Sequence, residues 1–278
     1  MTQKTNLNIN PYYDDFDPND QFYKVLFKPG FPVQARELST LQSILQNQIE
    51  SFGSHMFKDG SMVIPGNIAY DQEYYSMIIE PEHLGIPVSL YLNELKGLTL
   101  TSQTTGVSVV IDDYLYPEDN SQIDTLTIFV KYVNSGSDNV DATMNDGESL
   151  ITEEPFIYGN TPISAGESVL KLIDDEACFV GSSVSISAGV YFIRGTFVEV
   201  AADKIVLNPY DNDPSYRVGL NINEQLLTAK QDESLYDNAR GFSNFAAPGA
   251  DRLKIETTLA KKESVSYTHL TLPTSDLV

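Results

Sequence analysis

Residues 183–208, SVSISAGVYFIRGTFVEVAADKIVLN, carry the clearest β-strand pattern in the chain. VYFIR and TFVEV flank Gly195, which is typical of a β-hairpin with a tight turn. KIVLN, residues 204–208, is predicted to pair beside this hairpin. Similar short runs recur through most of the chain, so we predict a mainly β fold.

Residues 58–87 are predicted to be connecting strands, interrupted at Pro65 and Gly66. Residues 88–153 then contain a run of short strands separated by turns rich in Gly, Asn and Asp: VSLYL, LTLTS, GVSVVIDD and TLTIFVKYV. This arrangement favours a small β-barrel or sandwich. Residues 154–262 are predicted to form a second β-domain with a long aromatic loop.

One stretch departs from the β pattern. Residues 32–57 are predicted to form one long N-terminal helix, with Pro32 in its first turn and Gly53 near its end. At the rise of an α-helix it would be about 30 Å long. Five positions are spaced alternately by three and four residues, as in a heptad seam with one polar layer: Leu38, Leu41, Leu45, Gln48 and Phe52.

The polar side of this helix carries few charges. Only Arg36, Glu37 and Glu50 are charged there, although the chain contains 17 basic and 39 acidic residues. Packing on the chain's own β-domain explains the apolar periodicity equally well. A helix facing water in so acidic a protein should carry more charge, so we expect other protein to cover most of its sides. The five seam residues are therefore a candidate oligomer interface.

Residues 1–31 are predicted to form an N-terminal arm. Turn-forming Asn, Asp and Pro residues alternate there with aromatic residues, and the aromatic residues favour an arm that lies against a protein surface. The stretch DDFDPNDQF lacks the Gly and the closing Glu of an EF-hand calcium loop. Asx-turns are the better explanation for its acidic residues.

Composition excludes several classes of function. The net charge of −22 argues against nucleic-acid and anionic-membrane partners, which need basic patches. No apolar run reaches the roughly 18 residues that a membrane span needs, and the N-terminus lacks the apolar segment of a signal peptide. We therefore expect a protein made in a reducing cytoplasm. The single cysteine, Cys178, fits a small packing residue better than a nucleophile.

Sequence motifs for catalysis are missing. His55, His83 and His269 are widely spaced, and no metal-binding, nucleophile-elbow or phosphate-loop motif occurs. We therefore expect no catalytic residues, no metal and no cofactor.

Two long aromatic and polar loops, residues 209–217 and 234–251, are candidate contact surfaces. The alternative is that they are ordered loops packed on their own sheet or on a neighbouring subunit. The candidate contact residues are Tyr210, Tyr216, Tyr236, Phe242 and Phe245.

Three blocks of the sequence carry a resemblance to a known family: residues 10–61, residues 189–222 and residues 234–255. The first begins NPYYDDFDPNDQFYKVLF, the second GVYFIRGTFVEV, and the third SLYDNARGFSNFAAPGADR. They resemble a family of tailed-bacteriophage virion proteins, described as a domain of unknown function in tail-fibre or baseplate-associated proteins and common in marine phages. The similarity spans nearly residues 7–260. It implies a structural or adhesion part of the tail and offers no catalytic residues.

The end of the chain departs from that family. Residues 264–275, SVSYTHLTLPTS, resemble the translated read-through of a sequencing adapter. We therefore expect residues 263–278 to be an artefactual tail and the natural chain to differ beyond Glu263. The alternative is a genuine strand and turn.

We expect a structural protein of the phage tail fibre or baseplate periphery, located in the virion and assembled in the host cytoplasm. Its helix would enter the axial bundle of a homotrimer, and the chain would attach to other tail or baseplate proteins and project a distal host-recognition part. The alternative is a receptor- or carbohydrate-binding module that contacts a host surface glycan. A glycan-degrading tail enzyme is a third class.

Overall fold

The computed structural model describes residues 5–117, 125–136 and 142–263. They fall into two compact units. The first comprises residues 5–68, Ser185–Asp203 and Gly219–Ala260, and the second comprises the described residues of 69–184, Lys204–Val218 and 261–263. Both units are discontinuous, unlike the consecutive domains that the sequence favoured. The proposed artefact at residues 264–275 lies outside the described residues.

The helices are α1 (Ala35–Met56) and α2 (Leu92–Leu95), with single 3₁₀ turns at Pro18–Asp20, Val88–Leu90 and Glu233–Leu235. The strands are β1 (Ser61–Ile64), β2 (Ile68–Ile78), β3 (Glu82–His83), β4 (Ile86–Pro87), β5 (Thr99–Ser102), β6 (Ser108–Leu115), β7 (Thr127–Asn134), β8 (Ser149–Thr152), β9 (Phe156–Tyr158), β10 (Thr161–Ile163), β11 (Ser168–Lys171), β12 (Cys178–Ile186), β13 (Gly189–Ile193), β14 (Thr196–Val200), β15 (Asp203–Asn208), β16 (Tyr216–Leu227) and β17 (Arg252–Glu263). The prediction of a mainly β chain is therefore confirmed.

The first unit contains a three-stranded sheet in the order β1-β13-β14. Strands β13 and β14 form the predicted antiparallel hairpin, in which Ile193 is opposite Thr196. The turn residues Arg194 and Gly195 both have positive φ, 49° and 78°, as the tight turn of a two-residue hairpin requires. Strands β16 and β17 form a separate two-stranded sheet.

The second unit contains an eight-stranded sheet in the order β11-β8-β5-β6-β7-β2-β12-β15. Its first and last strands, β11 and β15, are not paired with each other, so the predicted barrel is not closed. Strand β15 contains the KIVLN segment and pairs with β12, not beside the β13–β14 hairpin as predicted. Two small sheets accompany it, β3 with β4 and β9 with β10.

The prediction of a strand at VSLYL is wrong. Residues Val88–Leu90 form a 3₁₀ turn, and Leu92–Leu95 form α2. Val88, Leu92 and Leu95 are all fully buried. Their spacing of four and three residues places them on one side of a helical turn, and this burial overrides the alternation that suggested a strand.

Helix α1 has 22 residues and differs from the prediction at its start. It begins at Ala35, where the backbone N–H of Gln34 donates to Glu37 Oε2 at 3.1 Å. It continues through Gly53 to Met56, because the backbone N–H of Phe57 still bonds to the carbonyl of Gly53. Among the described residues, no helix is long and apolar enough to cross a membrane.

The two units differ in how they use their hydrophobic residues. Of the buried hydrophobic residues that the described segments contain, eight lie in the first unit and twenty-three in the second. Exposed large hydrophobic residues show the opposite distribution, with nineteen in the first unit and seven in the second. The first unit therefore has a small core and an unusually apolar surface.

Candidate functional site

Helix α1 contacts its own unit through its polar side. Gln46 Nε2 donates to the carbonyl oxygen of Gly195 at 2.8 Å and to Thr196 Oγ1 at 3.1 Å. On the same side Ser43 Oγ donates to a carboxylate oxygen of Asp14, a residue of the arm. These bonds explain why uncharged Ser, Thr and Gln residues occupy the side of the helix that the sequence suggested was covered by protein.

Only two residues of α1 are buried, Ile44 and Gly53. Ile44 is 4% exposed. Gly53 lies against the ring of Phe192, which occupies the space that a Cβ atom would need. The helix therefore adds one aliphatic side chain and one close backbone contact to the core of its unit, little for an element of 22 residues.

The predicted seam lies on the opposite side of α1 and is uncovered. Leu45 is 57% exposed and Phe52 67%. Leu38 and Gln48 are also exposed, while Leu41 is half-buried. Two further exposed residues extend the stripe, Ile49 and Met56. We call Leu38, Leu41, Leu45, Gln48, Ile49, Phe52 and Met56 the α1 seam.

A polar cluster fixes the beginning of the arm to the first unit. The Arg194 guanidinium pairs with Glu224, whose side chain is 4% exposed. Thr5 donates to the same carboxylate through its backbone N–H at 3.0 Å and its hydroxyl at 2.8 Å. Tyr12 Oη donates to Asp251 Oδ2 at 2.6 Å, and this bond raises the pKa of Tyr12.

These side chains border a cavity of about 350 Å³ between the arm, α1 and strands β16 and β17. Its charged groups already have partners: Arg194 pairs with Glu224, and Asp251 accepts a hydrogen bond from the Tyr12 hydroxyl. The cavity therefore joins parts of the unit and presents no set of groups converging on a ligand.

The candidate contact loops are divided between the units. Tyr210 and Tyr216 belong to the second unit, and Tyr236 belongs to the first. The ring of Tyr210 lies 4.8 Å from that of Phe179, and Tyr216 faces Lys261 Nζ at 5.1 Å. Tyr236 forms an isolated bridge with Pro248. The three tyrosines therefore have contacts within their own units.

Phe242 and Phe245, in the first unit, are exposed. The loop that carries them is ordered by its own backbone: the N–H of Asp237 donates to Ala247 at 2.9 Å, and that of Gly249 donates to Leu235 at 2.8 Å. These two phenylalanines are the members of the predicted contact set that are free to meet a partner.

One serine–histidine pair occurs in the second unit. Ser168 Oγ lies 3.0 Å from His83 Nε2. A hydrolytic triad also needs a carboxylate that orients the histidine, and His83 has no hydrogen bond to a carboxylate among the described residues.

Burial raises the pKa of Cys178 to about 12, and Asp146 and Glu148 add to the shift. That thiol therefore stays protonated at neutral pH.

No group of three or more His, Cys, Asp or Glu side chains within residues 5–117, 125–136 and 142–263 is arranged to hold a metal ion. Acidic side chains of the second unit pair with lysines instead. Asp112, for example, contacts Lys131 at 3.1 Å and also pairs with Lys204. His269 lies outside the described residues.

A family model described as "Domain of unknown function (DUF4815)" matches residues 10–149 and 141–272. The chain belongs to this family. Neither the curated proteins nor the solved structures include a significant match. The DUF4815 description states no activity and no partner, so the function of this member has to be argued from the α1 seam and its surroundings.

Sequence reasoning identified the seam but not what lies behind it. Met56 follows Ile49 by seven residues, so heptad spacing alone could have added it to the seam. The contact of Gly53 with Phe192 joins residues far apart in the chain, and no local pattern signals it.

Proposed function

We propose that this DUF4815 chain is a structural protein of the bacteriophage virion that assembles with copies of itself through the α1 seam. Its place is the tail fibre or the baseplate periphery, where it attaches or projects a distal host-recognition part. Self-association rests on the geometry of the first unit. The place in the virion rests on the resemblance of three sequence blocks to tail-associated proteins.

The exposed α1 seam is the single observation that carries self-association. A surface helix of a globular protein normally turns its apolar side to the core and its polar side to water. In α1 the polar side contacts the unit through Ser43 and Gln46, and the apolar side, with Leu45 and Phe52, is exposed. Contiguous exposed apolar surface of this kind marks protein–protein contacts.

A second copy is the partner that best fits the seam. Heptad spacing lets identical helices pack knobs into holes around a common axis. The seam contains no charged side chain, so copies that each carry a net charge of −22 can approach along it. Gln48 supplies one polar layer within the apolar contact, the kind of feature that specifies oligomer state. We propose that the oligomer is a homotrimer.

The place in the virion is tested on purified particles of a phage that encodes this chain. Mass spectrometry of the particles should detect the chain, and gold-labelled antibody should bind at the tail. Absence from purified particles, or label on the capsid alone, would rule out the proposed place. The proposed self-association would be unaffected by that outcome, because it is measured separately on the purified chain.

One observation favours a second candidate, a receptor- or carbohydrate-binding module. Phe242 and Phe245 are exposed on an ordered loop, and exposed aromatic rings are common in binding surfaces. Under this alternative, Phe242→Ser should abolish binding on a glycan array without changing the melting temperature. Tyr236→Ala is a weaker probe because Tyr236 bridges to Pro248 and its loss would disturb the loop.

A further inference from the structure

The arm tip, residues 22–33, precedes α1 and is a second uncovered surface of the first unit. Six of its large apolar side chains are exposed: Phe22, Tyr23, Leu26, Phe27, Phe31 and Val33. Within the described chain, residues 22–33 make hydrogen bonds only among themselves, as from the Phe31 N–H to the Lys28 carbonyl at 3.3 Å. The tip is therefore held by no hydrogen bond to the rest of its unit.

The base of the arm tip is fixed, in contrast to the tip itself. Arg36 Nη1 pairs with Asp15 Oδ2 at 2.9 Å, which brings together the two ends of the segment between them. Asp14, next in the chain, is bonded to Ser43 of α1. The tip is therefore an apolar loop presented from a fixed base and not a free chain end.

The charge of the arm tip is opposite to that of the chain. Residues 22–33 include Lys24 and Lys28 and no acidic residue, whereas the whole chain has a net charge of −22. A basic segment in so acidic a protein is attracted to surfaces like those of the remainder of the chain. Charge complementarity thus favours a second copy of this chain as the partner of the tip.

The exposed apolar areas of the arm tip and the α1 seam also favour a joint interface. Because an aromatic side chain can bury 150–250 Å², the six tip residues expose roughly 600 Å². By the same measure the exposed apolar residues of the α1 seam offer roughly 500 Å². A stable interface buries about 800 Å² on each partner. Neither surface reaches that area alone, but the two together exceed it.

We infer that the arm tip of one copy docks on the acidic surface of a second copy and completes the interface that the α1 seam begins. This inference rests on the proposed self-association. The apolar side chains supply the buried area, and Lys24 and Lys28 supply the charge complementarity. Because the tip leads directly into α1, a contact between two seams brings each tip to its neighbour.

Charge reversal at the tip tests the inference. In the full chain, Lys24→Glu with Lys28→Glu should raise the dissociation constant of the oligomer at least tenfold at 50 mM salt, measured by analytical ultracentrifugation. The matched control is Lys230→Glu with Lys262→Glu, which makes the same change in net charge at two exposed lysines outside the tip. The control should change the dissociation constant less than twofold. Equal effects of the two variants would overturn the inference.

Cross-linking provides a second readout. Phe27 is replaced by the photoreactive benzoylphenylalanine in a mixture of ¹⁴N- and ¹⁵N-labelled copies, and cross-linked peptides are identified by mass spectrometry. Cross-links that join one light and one heavy copy are expected. Cross-links within single copies only, or no cross-links in an oligomeric sample, would overturn the docking of the tip. A wild-type chain that stays monomeric would instead remove the proposed self-association and this inference together.

Discussion

The ring of Phe192 lies against Gly53, the single glycine of α1, and occupies the space that a Cβ atom at position 53 would need. Phe192 is 2% exposed, and its ring centroid lies 5.3 Å from that of Phe197 and 6.0 Å from that of Phe57. Surrounded in this way, the ring has little room to move. Helix α1 is thus fitted to the β13–β14 hairpin at one close contact while its seam stays outside.

Gly53→Ala should destabilise the protein. Alanine ordinarily stabilises a helix interior by about 1 kcal/mol relative to glycine. Here the methyl group would overlap the Phe192 ring, and overpacking of this kind costs about 1–3 kcal/mol. The free energy of unfolding, measured with urea, should therefore fall, whereas the neighbouring exposed control Ser54→Ala should leave it unchanged or slightly raised. A rise for Gly53→Ala would show that the contact is loose.

Leu45→Asp should dissociate the oligomer without unfolding the chain. Leu45 is exposed in the single copy, so a charge there meets water in the monomer but would be buried between seams in the oligomer. Sedimentation should show monomers. The circular dichroism spectrum of the monomer should remain that of a folded β protein, and the monomer should still melt cooperatively. Ser51→Asp, an exposed position of α1 off the seam, is the matched control and should stay oligomeric. Global unfolding by Leu45→Asp would instead show that α1 is part of the core of the single copy.

Glu224→Ala should strongly destabilise the first unit. The substitution leaves Arg194, whose side chain is 15% exposed, without its carboxylate, and Thr5 loses two hydrogen bonds. Breaking a buried ion pair by removing one partner costs about 3–5 kcal/mol. The control Glu256→Ala removes a carboxylate that pairs with Lys254 and accepts a hydrogen bond from Gln225 at 2.9 Å, and it should cost about 1 kcal/mol. Similar losses in urea unfolding for the two variants would contradict this account.

Asp112 should contribute a pH-dependent part of the stability of the second unit. Burial alone would raise its pKa, but hydrogen bonds from Lys204, Tyr74 and Lys131 outweigh burial and lower the pKa to about 2. Because the folded-state pKa is below the unfolded value, the stabilisation is complete above about pH 4 and is lost as the pH falls toward 2. The shift corresponds to about 2 kcal/mol at neutral pH.

Asp112→Asn therefore should lower the free energy of unfolding at pH 7, and its difference from the wild type should shrink between pH 4 and pH 2. The control is Asp113→Asn, at an exposed carboxylate that pairs with Lys96 at 2.7 Å. That variant should differ little from the wild type at either pH. A pH-independent loss for Asp112→Asn would mean that packing, not charge, explains it.

Local patterns predicted the parts of the fold that depend on neighbouring residues. The hairpin around Gly195 was correct because its turn requires positive φ, which glycine adopts easily. The α1 seam was recognisable because side chains three and four residues apart share one side of a helix. The strand predicted at VSLYL was wrong because an alternation of only five residues does not exclude a helical turn, and burial of Leu92 and Leu95 favours the helix.

Long-range pairing was beyond these patterns. KIVLN pairs with β12 instead of beside the hairpin next to it, and no local signal separates the two partners. The shortage of charge on α1 suggested cover by other protein, whereas the polar side contacts Asp14 and Gly195 of the same unit. The aromatic residues of the arm predicted contact with a protein surface, but no local pattern indicated that the tip is uncovered in the single copy.

The mass of the wild-type chain in solution tests the central claim most directly. Light scattering coupled to size-exclusion chromatography, at several micromolar concentrations, should give about three times the chain mass of 30.8 kDa. Such a mass is expected because the α1 seam and the arm tip leave too much apolar surface uncovered in a single copy. A mass of one chain across the whole micromolar range would contradict self-association through α1.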